Sequence, residues 1–386
     1  SIVLDEVQQK LDVEELSDYA IFESEGELNS IYIQFPEEIE SPLETILKAL
    51  AKIKELKSVA RAYLVQQDTV YNPIYISKHK FLVGELIEII LKANEGVNAK
   101  DNSSKFKTFK ITCAGADSKE VRSIAKYIED TYKLVEQEEA DLKVHIIKPA
   151  EVWEVGVQTT PRPLSMRDYK VRNMSGAMDP TVAYAMNSLC GISKTGANEF
   201  GQNNEIDEAN THTSEHSARK SYLNAFSGSA TLLIEAALEY PNLEPLIGFD
   251  NNKEHLSLAI QNIKKAGLIK RIQLKEADIH DRPDINTSTE SITSTASATF
   301  DIITADLPFG MSISKGENLA ELYGAFLEYC QEKLSPSGKL AVYTSESDTF
   351  EKTIRGTAFQ IEKELKIKSM TNAGAYLETK IFVCSK

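Results

Sequence analysis

The sequence predicts an α/β protein: a parallel sheet flanked by helices in the C-terminal part, preceded by smaller modules of α+β character. Three observations carry this. From Asp179 onward, short apolar runs alternate with segments of helical periodicity, the pattern of strand–helix–strand units. Within that region Tyr222 to Thr231 reads as a strand, a small-residue loop and a helix start, and Leu246-Ile247-Gly248-Phe249-Asp250 is a strand that ends on an acid. Nearer the C-terminus, Asp306-Leu307-Pro308-Phe309 sets an acid, a proline and an aromatic between the apolar run Ile302-Ile303 and Gly310.

In chain order, Asn29 to Phe35 alternates at period two and reads as a strand. Ser41 to Lys57, with Pro42 in the first turn and Leu43, Ile46, Leu47 and Leu50 at helical spacing, reads as a helix. Val59 to Val70 returns to strand. A second module follows: a helix over Lys80 to Lys92, a strand over Lys105 to Thr112 and an amphipathic helix over Ser118 to Val135. Leu142 to Ile147 and Glu151 to Thr159 read as a strand pair. Pro161-Arg162-Pro163 breaks regular structure and sets a boundary near residue 165. Asp179-Pro180-Thr181 starts a helix. Two polar stretches, residues 193–220 and 284–299, hold too little apolar content to pack and read as insertions.

At 386 residues and 42% hydrophobic content, the chain exceeds one usual domain. No stretch approaches the roughly 20 apolar residues of a membrane span, and the N-terminus does not read as a signal peptide. Cys113, Cys190, Cys330 and Cys384 are scattered with no Cys-X-X-Cys pair. That points to reduced thiols in a cytoplasmic protein, with neither a disulfide framework nor a metal site expected. His145 and His255 stand alone and read as structural or surface residues. Trp153, the only tryptophan, reads as a core residue.

The net charge is −15, but its distribution matters more than its sum. Residues 1–70 hold 15 Asp/Glu against 6 Lys/Arg. Basic residues gather later: Lys105, Lys107 and Lys110; Arg162, Arg167 and Arg172; and the Lys264–Lys275 stretch. A structured RNA needs a local basic surface and not a basic protein.

The strand ends define a ligand. Small residues over Asn224 to Ala230 let the backbone approach a ligand, and the following helix N-terminus attracts a carboxylate. Asp250 suits two ribose hydroxyls, Asp278 an adenine amino group, and Ile279 the face of the ring. Adenosine with an amino-acid tail fits this series, so S-adenosylmethionine is favoured over a dinucleotide, whose Gly-X-Gly-X-X-Gly is absent. Asp306 with the Leu307 carbonyl can accept from a flat amino group while Phe309 stacks on its ring.

Asn224 to Ala237, Asp250, Asp278-Ile279 and Asp306 to Gly310 resemble the class I methyltransferases that alkylate exocyclic base amines. Phe109-Lys110-Ile111, Lys148 to Val155 and Leu164 to Tyr169 resemble a THUMP RNA-binding domain and its exit linker. Over nearly its full length the chain is similar to the THUMP-containing guanosine N2-methyltransferases, which act mainly on tRNA. The resemblance implies a ferredoxin-like domain over 1–75, a THUMP domain over 76–165 and a Rossmann-like methyltransferase domain over 166–386. It implies an S-adenosylmethionine site of Asn224, Phe226, Ser227, Gly228, Ser229, Thr231, Asp250, Asn251, Asp278, Ile279, Asp306 and Thr181. Asp306, Leu307, Pro308 and Phe309 would be catalytic. Lys105, Lys107, Lys110, Arg162, Arg167 and Arg172 would hold tRNA near its acceptor stem. A monomer or homodimer is expected, with an activating protein subunit as a further partner.

The chain departs from the family's pattern at four loop positions: Asn224 replaces an acid, Ala225 a proline, Ser227 a cysteine and Ala230 a glycine. Two other readings stay open: the same chemistry on ribosomal RNA or on adenine, and an RNA-binding protein that keeps the fold without catalysis.

Overall fold

The computed structural model describes residues 2–11, 20–23, 31–35, 41–68, 80–95, 106–148, 153–192, 219–285, 299–309, 318–370 and 376–386. Most of both polar insertions and Lys105 lie outside these residues. The chain divides into two compact units, Ser1–Met166 and Arg167–Lys386.

The first unit opens with helix α1 (Ile2–Leu11), which the sequence patterns do not announce because only Val7 and Leu11 form its buried stripe. Its buried Glu6 accepts from the backbone N–H groups of Lys57 and Ser58, each at 2.8 Å. Strands β1 (Ala20–Glu23) and β2 (Ile31–Gln34) pair antiparallel. Helix α2 (Pro42–Ile53) starts at Ser41 with proline in its first turn and stops short of Lys57, because the chain turns there to bury Leu56. Then come β3 (Tyr63–Asp68), α3 (Lys80–Ala93), β4 (Thr108–Cys113), α4 (Lys119–Tyr132), β5 (Val135–Glu136), β6 (Leu142–Ile147) and β7 (Trp153–Gln158). Ser118 caps α4 by accepting from Val121 N–H, and Lys133, at φ 57°, ends it.

Five strands form one sheet in the order β3-β7-β6-β4-β5. Phe109, Ile111, Leu142, Val144 and Ile146 alternate onto the face that α3 and α4 cover, and Trp153 packs at the margin of this core. Strand β3 corrects an expectation: its pattern falls within residues 1–75, yet it pairs with β7 along its length, Tyr63 opposite Gln158 and Asp68 opposite Trp153. The sheet therefore extends across position 75. Pairing between strands so far apart in sequence leaves no local signal.

The second unit is the alternating one. It comprises α5 (Pro180–Leu189), β8 (Lys220–Ala225), α6 (Thr231–Glu239), β9 (Leu243–Asp250), α7 (Lys253–Lys265), β10 (Ile272–Glu276), β11 (Phe300–Asp306), α8 (Leu319–Lys333), β12 (Leu334–Thr344), α9 (Ser347–Ile354), β13 (Gln360–Met370) and β14 (Tyr376–Ser385). The seven strands lie in the order β10-β9-β8-β11-β12-β14-β13. The first five are parallel, and β14 and β13 are added antiparallel. Strand order reverses between β8 and β11, and a ligand crevice is expected at the carboxyl ends of those two strands. Both faces of the sheet are covered: Tyr222, Leu246, Ile302 and Ala341 face one core, Leu223, Ile247, Ile303 and Val342 the other.

Residues 167–179 are tied to this unit by a buried ion pair. Arg167 Nε lies 3.0 Å from Glu235 Oε1 on α6, and Tyr169 donates to the same oxygen at 2.6 Å. The Glu235 side chain is only 1% exposed and that of Arg167 13%. A buried carboxylate left without its cation is costly. Arg167→Met is therefore expected to lower unfolding free energy by about 3–5 kcal/mol, read as the shift of the urea midpoint at constant m-value. A loss below about 1 kcal/mol, the scale of an exposed pair, would show that the pair contributes little.

Candidate active site

A cavity of about 380 Å³ opens at the carboxyl ends of β8 and β11, where the strand order reverses. Its walls come from four places. The loop between β8 and α6 supplies Phe226 to Ser229, with Thr231 and Leu232 from the start of α6. The end of β9 supplies Asp250, Asn251 and, one turn on, His255. The end of β11 supplies Asp306 to Phe309, and the segment Met174–Met178 closes another side with Leu377 of β14.

The loop after β8 bends through three left-handed residues, Phe226 (φ 54°), Gly228 (φ 50°) and Ala230 (φ 64°). For a phenylalanine and an alanine this costs of order 1–2 kcal/mol each, and such strain collects at functional sites. The bend turns the Phe226 ring onto Phe326 at 5.7 Å and starts α6 at Ala230 with no side-chain cap. The first N–H groups of α6 thus face the cavity uncapped. Gly248 underlies the loop: a Cβ there would meet Leu233 Cδ1 at 2.5 Å and Ser227 Cβ at 3.0 Å.

Asp250 is buried and braces the loop. One carboxylate oxygen accepts from Gly228 N–H at 2.8 Å, the other from Asn252 N–H at 3.0 Å. His255, read from sequence as structural or surface, stands in the cavity wall with Nδ1 3.4 Å from Asp250 Oδ1. A carboxylate offers about four acceptor positions, so Asp250 keeps capacity toward the cavity. Asn224 spends its amide hydrogens on the Ala225 and Thr304 carbonyls, at 3.1 and 3.2 Å, which leaves its buried Oδ1 without a partner. Ser227 Oγ is likewise buried and unpartnered.

Asp306 ends β11. Its carboxyl keeps some solvent access through the cavity but is otherwise enclosed by protein; burial pushes its pKa up to about 8, against the pull of the Lys170 ammonium. Leu307 turns into the core and donates its N–H to the Tyr343 carbonyl at 3.0 Å. Tyr323 of α8 donates to the Pro308 carbonyl at 2.7 Å, which fixes the turn. Phe309 is held edge-on to Tyr343 at 5.7 Å.

The structure thus gathers Asn224, Phe226, Ser227, Gly228, Ser229, Thr231, Asp250, Asn251 and Asp306 to Phe309 around one cavity. Three expected cofactor residues fall outside its wall. Asp278 is engaged by Asn251 Nδ2 at 2.8 Å and by His280 N–H at 2.9 Å. Ile279 is buried in the core, and Thr181 bonds to Asp179 at the start of α5. The Met174–Met178 wall and Leu377 have no sequence signal, since neither carries a motif. Among the described residues no group of His, Cys, Asp or Glu could hold a metal.

The expected RNA-binding residues separate. Lys107 and Arg162 are exposed. Arg172, also exposed, donates to Gln261 at 2.8 Å. Lys110 is paired with Glu138 at 2.6 Å, and Lys105 lies outside the described residues. Arg167 is corrected: its guanidinium is turned inward onto Glu235 and does not belong to a phosphate-binding surface.

Residues 204–373 match the family described as RMKL-like, methyltransferase domain. The chain is 27% identical over 133 residues to a tRNA (guanine(6)-N2)-methyltransferase of Methanocaldococcus jannaschii, covering 34% of this chain and 31% of that protein. It is 27% identical over 192 residues to the U6 snRNA (guanine-N(2))-methyltransferase THUMPD2 of Mus musculus, covering 50% of this chain and 28% of that protein. The chain thus spans about a third or less of the length of these curated relatives. The crystal structure of TrmN from Thermus thermophilus shares the fold, with a TM-score of 0.65 at 17% identity, over 100% of this chain and 96% of that one. The resemblance to guanine N2-methyltransferases read from the sequence is borne out.

Such domains use S-adenosylmethionine, and the cavity fits it. The uncapped start of α6 suits its carboxylate, the orphaned Asn224 Oδ1 its ammonium, and the spare acceptors of Asp250 its ribose. Asp250→Ala is expected to weaken binding of S-adenosylhomocysteine by about 1.5–3 kcal/mol, measured by calorimetry. Unchanged affinity would remove Asp250 from the cofactor site.

Proposed function

We propose that the chain is an S-adenosylmethionine-dependent RNA methyltransferase that forms N2-methylguanosine in tRNA, and that it works in the cytoplasm. The observation that carries this reading is the placement of Asp306-Leu307-Pro308-Phe309 in the same cavity as the loop after β8. No helix among the described residues is long and apolar enough to cross a membrane, and Cys190, Cys330 and Cys384 are free and buried.

Bound S-adenosylmethionine would supply a methyl group made electrophilic by its sulfonium. The chain's own residues hold and polarise the acceptor. Guanine N2 is a poor nucleophile because its lone pair is delocalised into the ring. Asp306 and the Leu307 carbonyl accept its two hydrogens, draw the nitrogen toward tetrahedral geometry and offset the positive charge that grows on it. The Tyr323 bond to the Pro308 carbonyl keeps this turn in place before the base arrives. Phe309 stacks on the base, which must leave its helix at a cost of a few kcal/mol. Positioning supplies much of the rate. In this reading the first unit, with Lys107 and Lys110, and the exposed Arg162 and Arg172 contribute the phosphate contacts; the RNA is held by shape and charge.

Asp306→Ala is expected to retain less than about a tenth of wild-type turnover, a barrier increase above roughly 1.4 kcal/mol, with S-adenosylhomocysteine affinity little changed. The assay is mass spectrometry of nucleosides from tRNA incubated with protein and cofactor, with ribosomal RNA and U6 RNA as parallel substrates. Absence of N2-methylguanosine from every RNA would overturn the proposal, and its appearance only in the parallel RNAs would move the substrate.

The acceptor must be ionised, and burial raises Asp306 to about 8. The protonated, inactive form therefore dominates below that value. kcat/KM for the cofactor, which reports the free enzyme, should rise about tenfold per pH unit up to about 8 and level off above it. A flat profile between pH 6 and about 8 would dissociate Asp306 ionisation from the reaction.

A further inference from the structure

One titratable side chain in the cavity wall, His255, has no part in the methyl-transfer reading. It stands in the first turn of α7, shortly after the strand that ends in Asp250, and lines the cavity beside that acid. Its Nδ1 lies 3.4 Å from Asp250 Oδ1, and its Nε2 lies 3.3 Å from Asn252 Nδ2.

The helix cap fixes which ring nitrogen carries the proton. Asn252 is the N-cap of α7, and its Oδ1 accepts from Glu254 N–H at 2.9 Å and from His255 N–H at 3.3 Å. An amide whose oxygen is engaged twice in this way turns its NH2 group to the ring. Nε2 is therefore the acceptor of that contact, and in a neutral imidazole the other nitrogen then bears the hydrogen. That hydrogen, on Nδ1, faces Asp250 Oδ1. The opposite tautomer would set N–H against N–H at Nε2 and lone pair against lone pair at Nδ1.

The acid it faces is held by few donors. Asp250 Oδ1 accepts from Asn252 N–H at 3.0 Å, and Oδ2 accepts from Gly228 N–H at 2.8 Å. With His255 added to Asn252 N–H, Oδ1 is drawn to the start of α7. Oδ2 stays at the cofactor loop with room for a further donor.

We propose that His255, held by Asn252 as the neutral tautomer with its proton on Nδ1, is a positioning residue for the cofactor: it draws Asp250 Oδ1 to the start of α7 and leaves Oδ2 to accept from the ribose. The inference rests on the reading of the cavity as an S-adenosylmethionine site. It gives Asn252 two tasks, since its oxygen starts the helix and its nitrogen sets the ring.

The first test needs no ligand. Nitrogen-15 NMR of the histidine rings, recorded at alkaline pH where an imidazole is neutral, should show His255 with its proton on Nδ1; the signal is assigned by its loss in His255→Leu. Asn252→Ser keeps a good helix cap but removes the amide nitrogen, so the proton should move to Nε2 in a large share of molecules. A wild-type ring protonated at Nε2, or one that Asn252→Ser leaves unchanged, overturns the proposal. The second test is calorimetry with S-adenosylhomocysteine. His255→Leu should weaken binding about tenfold. His255→Asn, whose amide nitrogen can stand where Nδ1 stood, should recover most of the loss, and His255→Gln, whose amide reaches the Nε2 position, should not. His255→Leu should add nothing in an Asp250→Ala background. Equal losses in all three variants, or a loss that persists without Asp250, also overturn it. If the wild-type protein binds no S-adenosylhomocysteine, the reading of the cavity fails and the proposal with it; if wild type and His255→Leu bind equally, the proposal alone fails.

Discussion

The site depends on the lateral pairing of β8 with β11. The chain builds β8, β9 and β10 outward in one direction and returns to β8 on its other side, so two strand ends far apart in sequence finish side by side. Their register sets Asn224 opposite Thr304, and the Asn224 amide bonds across that pair to the Thr304 carbonyl. An aspartate could not donate that bond. Asn224 thus gives up a negative charge in the cofactor loop and gains a cross-strand link to the strand that carries Asp306. Below it, Thr304 donates to Tyr222, which donates to Asn187 on α5. The two halves of the cavity therefore share one buried polar network, whose members reinforce one another in a low-dielectric setting.

The second organising effect is desolvation. Glu235, Asp250 and Asp306 are the acids enclosed most fully around the cavity, and each is managed differently. Glu235 has an arginine and a tyrosine; Asp250 has backbone N–H groups and a nearby histidine; Asp306 has only a distant cation. Glu235 is structurally satisfied, whereas Asp250 and Asp306 keep acceptor capacity toward the cavity. Exposed charges follow another logic. Lys110 with Glu138 and Arg122 with Glu136 neutralise one another on the surface of an acidic chain.

Much of the second unit was legible in the sequence because parallel strands with both faces covered write long apolar runs, and their ends carry the chemistry. Asp250 and Asp306 could be read in this way, as could the loop from Asn224 to Thr231. What could not be read depends on partners distant in the chain. Strand β3 joins a sheet whose neighbour, β7, lies far along the sequence. Arg167 looks the same as a phosphate-binding arginine until Glu235 is found beside it. His255 has no motif, and it reaches the cavity because α7 begins directly after the strand that ends in Asp250. Asp278 stands outside the cavity wall, where its carboxylate accepts from Asn251 and from the turn it caps.

The uncapped start of α6 has a consequence for the life of the protein. A helix normally completes its first turn with a side chain of its own, whereas here the polypeptide leaves those donors for a visitor. Ligand occupancy and folding then draw on the same groups, and a bound molecule adds to stability by mass action, about 2.7 kcal/mol at a hundredfold excess over Kd.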